Sequence, residues 1–276
     1  MKAQAQELLQ ILQRDLAAYD SMLPSLPEVA VRVRTLTADP ECTIQQLEQE
    51  IAKDAVMAAR LVKVANSAAL LRGQPLTSLR QAITNLGINL VRSLVTQLGI
   101  LQSMQGRSDS PHMRDFVTNG MHISALCHSL ASKQPHLDPE LASLGGLLHD
   151  IGKLPLRTFL AKRSELTPGA RYQLEQLLHP TVGAMMLQRW QMADALVQMA
   201  REHERILRET GSHQADYVDI VIAANLLHYG TETGRYARYG HLPVPALEKC
   251  VGQDPHEDWQ QRALERLELA QSIFSS

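Results

Sequence analysis

The sequence predicts an all-α protein. Apolar residues recur at helical spacing, as in Ile44, Leu47, Ile51, Ala55 and Ala58, while the strict alternation of a half-buried strand is almost absent. Aromatic residues make up only 4% of the chain, so the aromatic-rich runs that favour strands are scarce. Helix start and stop signals punctuate the whole sequence. At ordinary helix lengths this pattern accommodates about a dozen helices.

The elements follow in order. Met1 to Gln13 reads as an amphipathic helix. Leu23-Pro24-Ser25-Leu26-Pro27 is an extended entry into the next one. Thr43-Ile44-Gln45-Gln46 has the form of a capping box. Asp54 follows a helical run, Asn66-Ser67 can end one helix or cap the next, and Gly87 suits a helix end. Phe116 to Ala131 reads as a helix. Asp138-Pro139-Glu140 supplies an N-cap, a first-position proline and a first-turn acid. Pro180 biases His179 away from helical geometry and can begin a new helix. Gly73, Gly106, Gly211 and Gly234 break the pattern between helical runs. Trp259 to Phe274 could form a terminal amphipathic helix.

The best internal boundary is Gly106 to Pro111, a short polar stretch of turn formers. It gives an N-terminal helix over 1–20, a helical lobe over 21–106, a second lobe over 107–228 and a C-terminal helical extension over 229–276. The 276 residues suffice for one large domain or two smaller ones. With 45% hydrophobic and 20% charged residues the chain is an ordinary globular one. Its 27 basic and 29 acidic residues give a net charge of -2, which supplies no overall electrostatic case for nucleic acid or an anionic membrane. No apolar run approaches the roughly 20 residues of a membrane span, and the start lacks a secretory signal pattern. Three scattered cysteines, Cys42, Cys127 and Cys250, fit a reduced cytoplasmic compartment.

The chemistry concentrates in Gly145-Gly146-Leu147-Leu148-His149-Asp150-Ile151-Gly152-Lys153. An imidazole beside a carboxylate can grip a borderline cation, and a cation so held could activate water against a phosphoester. The pair can also be a hydrogen-bonded couple that packs two helices. Lys153 could meet a phosphate as a point charge, or serve as a helix cap or salt-bridge partner.

This stretch resembles the signature of the HD superfamily of metal-dependent phosphohydrolases. The order Leu23-Pro24 to Pro27, Asp54, Asn66-Ser67 and Leu86-Gly87 ahead of it resembles the HDOD family, the HD-related output domain of bacterial signalling proteins. Asp54 is followed by Ala55 where the family pattern has proline. The resemblance runs from about Leu23 to His228 and implies one HDOD unit over 22–228, an all-α fold and a role in signal transduction. It implies a metal held by an early His, the His-Asp pair and a late Asp. Matching positions here are Asn119, His149, Asp150 and Asn225, so two ligands have become amides, which are poor ligands for Mn, Fe or Zn. His122 lies near the first position, and Asp219 faces elsewhere on the late helix. His179 and His203 stand where larger HD members bind a further metal and remain metal candidates, with Glu175 nearby in sequence.

Two functions follow. The first is a signalling output or scaffold module with a degenerate pocket that binds a protein partner or a small nucleotide-type ligand. It needs no cofactor at full occupancy. The second is a phosphohydrolase for nucleotides or a cyclic dinucleotide, with His149, Asp150, His179 and His203 holding Mn, Fe or Zn and Lys153 clamping the phosphate.

Overall fold

The fold is set by caps and buried apolar stripes. In a computed structural model of the chain, residue 11 and residues 26–66, 74–105, 111–231 and 233–251 are described. Every regular element among them that has printed bounds is a helix. In chain order these are α1 Glu28–Thr37, α2 Ile44–Ile51, α3 Ala55–Ala65, α4 Leu79–Leu86, α5 Ile88–Gln105, α6 Pro111–Ala131, α7 Pro139–Leu148, α8 Lys153–Ala161, α9 Pro168–Arg189, α10 Asp194–Glu202, α11 Tyr217–Tyr229, the 3-10 helix Gly234–Tyr239 and α12 Pro245–Val251. The all-α expectation holds. None of these helices is long and apolar enough to cross a membrane.

The caps read at Thr43 and Asp138 form, and others accompany them. Thr43 and Gln46 form a reciprocal capping box at α2. Ser78 with Gln81 and Asp216 with Asp219 do the same at α4 and α11. The Asp54 carboxylate accepts from Met57 N at 3.0 Å at the start of α3. Asp138 accepts from Glu140 N at 2.9 Å ahead of α7. Gly87, with φ 78°, ends α4 in a conformation that favours glycine. Asn66 ends α3 and reaches forward, its amide exchanging bonds with Leu76 O at 2.8 Å and Leu76 N at 2.7 Å.

Contacts group residues 26–144 as one compact unit and 145–251 as another, so the division falls inside α7. The first unit buries a core of Val33, Leu47, Ile51, Met57, Leu61, Ile83 and Val95 from α1 to α5. Truncating one such residue, Leu61→Ala for instance, costs about 2–5 kcal/mol.

In the second unit α9 packs between α8 and α10. A further core of Ile206, Val218, Ile222, Leu226, Tyr236 and Val244 joins α11 to the 3-10 helix and α12. Asp219, fully buried, faces away to its own ion network, with Arg208 and Lys249 each at 3.0 Å.

Two sequence expectations need correction. Pro180 does not begin a new helix, because α9 runs unbroken from Pro168 to Arg189 with Pro180 inside it. An internal proline costs about 3 kcal/mol, and burial of Leu174, Leu178, Val182, Met186 and Leu187 on either side outweighs that. The helix read over Phe116 to Ala131 begins at Pro111. The expected helix from Met1 to Gln13, other than Ile11, and the one from Trp259 to Phe274 lie outside the described residues, as do Gly73 and Gly106.

Candidate metal centre

The site is built where a turn crosses a helix. His149 and Asp150 lie in the turn between α7 and α8, held by short-range bonds from Ile151 N to Leu148 O and from Lys153 N to Asp150 O. Gly152 makes the crossing possible. A Cβ there would stand 2.2 Å from His179 O and 2.4 Å from Gly183 N on α9. The His-Asp turn therefore lies directly on the α9 backbone beside His179. His203 follows α10 as its C-cap and brings the third imidazole.

The three rings are oriented alike. Nδ1 of His149 faces Gly146 O at 2.7 Å, Nδ1 of His179 faces Glu175 O at 3.0 Å, and Nδ1 of His203 faces Ala200 O at 2.9 Å. A carbonyl only accepts, so each Nδ1 carries its ring proton and donates it. A ring held this way by Nδ1 has Nε2 as its remaining ligand atom. Metal-binding histidines are oriented by this same kind of second bond.

These ligand atoms converge. Nε2 of His179 lies 3.0 Å from Nε2 of His203. Asp150 Oδ1 is 3.1 Å from the first and 3.4 Å from the second. His149 Nε2 lies 3.5 Å from Asp150 Oδ2 and has no hydrogen-bond partner. Glu204 Oε1 approaches His203 Nε2 at 3.4 Å and His179 Nε2 at 3.8 Å. Two ligand groups overlap here, His149–Asp150–His203 and His179–His203–Glu204.

Burial sharpens the electrostatics. His179 and His203 are fully buried and His149 is 3% exposed. Burial pushes the His149 pKa down to about 3 and that of His179 to about 4, so both rings are neutral at neutral pH. Burial opposes the Asp150 charge, but the adjacent His149 ring and the Lys153 ammonium hold its carboxyl well below the usual range. Lys153 Nζ donates to Asp150 Oδ2. Burial lowers the Lys153 pKa, with Asp150 opposing that shift.

The residues present fit a divalent cation. Imidazole nitrogens and carboxylate oxygens crowd a buried point, and imidazole with carboxylate suits Mn, Fe or Zn. An ion there would satisfy His149 Nε2 and Asp150 Oδ1, both otherwise without a hydrogen-bond partner.

Of the residues read from sequence, His149, Asp150, His179, His203 and Lys153 come together. Glu175 turns away to a two-pronged pair with Arg157 at 2.9 and 3.0 Å. Asn119 and His122 lie half-buried on α6 in the first unit. Asn225 lies buried on α11 in the second, with both amide atoms lacking a hydrogen-bond partner. Sequence reading missed Glu204, Arg235 and Tyr236. Glu204 adjoins His203 and could have been weighed with it. Arg235, which pairs with Glu204, lies 31 residues further on with no motif around it. Tyr236 buries a hydroxyl without a partner near Asp150, and burial raises its pKa.

Fold and site together define a helical protein with a buried His-Asp cluster. The chain belongs to the HDOD family, whose HDOD domain profile matches residues 23–206. A Shewanella amazonensis SB2B protein provisionally named a metal-dependent phosphohydrolase is similar in structure, with a TM-score of 0.75 and 23% identity, covering 98% of this chain and 99% of that one. A Marinobacter aquaeolei VT8 protein provisionally named a signal transduction protein is similar with a TM-score of 0.65 and 21% identity, covering 92% of this chain and 61% of that one. An uncharacterized protein of Treponema pallidum (strain Nichols) is 19% identical over 197 residues, which are 67% of this chain and 38% of that protein. The chain thus spans well under half the length of that curated relative.

Proposed function

We propose that this chain is a bacterial signal-transduction output module whose HD-like unit holds one divalent cation, Mn, Fe or Zn, and which acts by binding a protein partner or small ligand rather than by hydrolysis. The observation that carries the reading is the meeting of His179 Nε2, His203 Nε2 and Asp150 Oδ1 within 3.4 Å of one another, with His149 beside Asp150 and His203 in the adjoining ligand group. His149, Asp150, His179 and His203 would hold the ion. They come from the turn after α7, from α9 and from the end of α10, so occupancy ties these elements together. A bound ligand of this kind shifts the chain toward the arrangement that binds it.

A bound divalent cation supplies Lewis-acid polarisation and a more acidic water. A hydrolase needs its ion open to substrate. Here the four ligands are at most 8% exposed, and Lys153 is committed to Asp150 rather than free for a phosphate. That burial favours the non-hydrolytic reading over a phosphohydrolase of nucleotides or a cyclic dinucleotide. The test is turnover by Mn-loaded protein on bis-p-nitrophenyl phosphate, nucleoside triphosphates and cyclic dinucleotides. The expected result is a rate no higher than that of His149→Ala. Turnover that disappears in this variant would establish the hydrolase instead.

A further inference from the structure

Both carboxylates of the cluster already answer a cation of the chain itself. Asp150 Oδ2 takes the Lys153 ammonium, and Glu204 Oε1 takes the Arg235 guanidinium. Burial keeps His149 and His179 neutral at neutral pH. The charges within the two pairs cancel, so a divalent ion brings two positive charges with no carboxylate left to balance them. Its four ligands are at most 8% exposed, and an unbalanced charge so deeply buried is costly. An octahedral ion such as Mn also keeps coordination positions that four protein ligands do not fill. The occupied centre therefore calls for an anion.

A donor suited to one stands beside it. Tyr236 is 1% exposed, and its hydroxyl has no hydrogen-bond partner, whereas buried hydroxyls ordinarily have one. Burial foremost raises its pKa and the Asp150 charge adds to this, so the hydroxyl keeps its proton. Its neighbours locate it. Arg235, the preceding residue, pairs with Glu204, whose Oε1 lies 3.4 Å from His203 Nε2. The Tyr236 ring lies 6.0 Å from the ring of Tyr229, whose pKa burial and then the Asp150 charge also raise. Asn225, one turn before Tyr229 on α11, adds a buried amide with neither polar atom bonded.

We propose that the centre binds a small oxyanion together with its divalent ion, and that the Tyr236 hydroxyl is the donor that receives this anion. The anion's oxygens take the ion's open positions and balance its charge, and Tyr236 Oη donates a charge-assisted hydrogen bond to one of them. Tyr236 lies beyond the stretch matched by the family profile, in the 3-10 helix after α11.

The inference rests on the metal-binding reading above. The test is Mn affinity of the full chain by calorimetric titration, in chloride alone and with millimolar inorganic phosphate as the probe. Phosphate should tighten Mn binding to wild type by about tenfold or more, the reciprocal of the tightening of phosphate by Mn. Association of Mn with phosphate in solution acts in the opposite direction and cannot produce this result. Tyr236→Phe keeps the ring and its packing. It should melt like wild type, bind Mn as well in chloride, and lose about tenfold of the phosphate effect. Tyr172→Phe, at a tyrosine 62% exposed, should match wild type throughout. AMP carries the same phosphoryl oxygens on a larger body and should leave Mn affinity unchanged, because the centre is closed. Mn binding indifferent to phosphate overturns the oxyanion while leaving the ion in place. A phosphate effect that survives in full in Tyr236→Phe overturns the role of Tyr236. An AMP effect equal to that of phosphate overturns the small-ion assignment in favour of the phosphoryl end of a larger ligand. No Mn bound in either medium overturns this inference and the metal-binding reading together.

Discussion

His179 and His203 face one another through their Nε2 atoms at 3.0 Å, and each directs its Nδ1 proton to a backbone carbonyl. Asp150 Oδ1 stands beside both of these nitrogens. A divalent ion held there would take up the lone pairs of all three atoms. A divalent ion that binds only the folded chain should stabilise it by about 2.7 kcal/mol at a hundredfold excess over Kd. Thermal melts should rise with Mn and fall back on chelation. A melt indifferent to Mn and to chelator would contradict this.

The imidazoles also predict an acid limb. His149 and His179 have folded-state pKa values of about 3 and about 4, against an ordinary 6.5. Between those values the unfolded chain takes up protons that the folded chain refuses. Stability from these groups is therefore complete above about pH 6.5 and falls as pH drops below it, by about 1.4 kcal/mol per pH unit for each group. Urea melts of metal-free protein between pH 7.5 and 5 should show this slope, and His149→Gln should lessen it. A flat profile over that range would mean the rings are not held neutral.

Gly152→Ala should damage both fold and site. Its Cβ meets backbone atoms of His179 and Gly183, which cannot swing aside as a side-chain end can. A loss of about 1–3 kcal/mol is expected from such overpacking, together with weaker Mn binding as the His-Asp turn lifts off α9. Gly169→Ala, whose Cβ meets nothing within 4 Å, is the matched control and should be nearly neutral in denaturant melts. Equal stability of the two variants would dispose of the argument.

The helical fold was legible because it is written locally. Thr43 with Gln46, and Asp138 ahead of Pro139, state helix starts within four residues. Pro180 was misread because its cost is local while the compensation is tertiary, through apolar neighbours buried along α9. The core of the site was legible for a similar reason, since His149, Asp150 and Lys153 adjoin in sequence and His179 and His203 stand in recognisable surroundings. Arg235 was not, because its pairing with Glu204 is made only by folding across α11. Asn225 is legible as a residue but not as a role, being a buried amide whose donor and acceptor both lack partners.

The most direct test of the account is the metal content of tag-free protein expressed with added Mn and Fe, measured by inductively coupled plasma mass spectrometry beside His203→Ala. The account predicts close to one ion per chain in wild type and a fall to background in the variant, because His203 Nε2 belongs to both ligand groups. Wild-type protein at background, with an unaltered circular dichroism spectrum, would contradict it and leave the His179–His203 pair bridged by a proton.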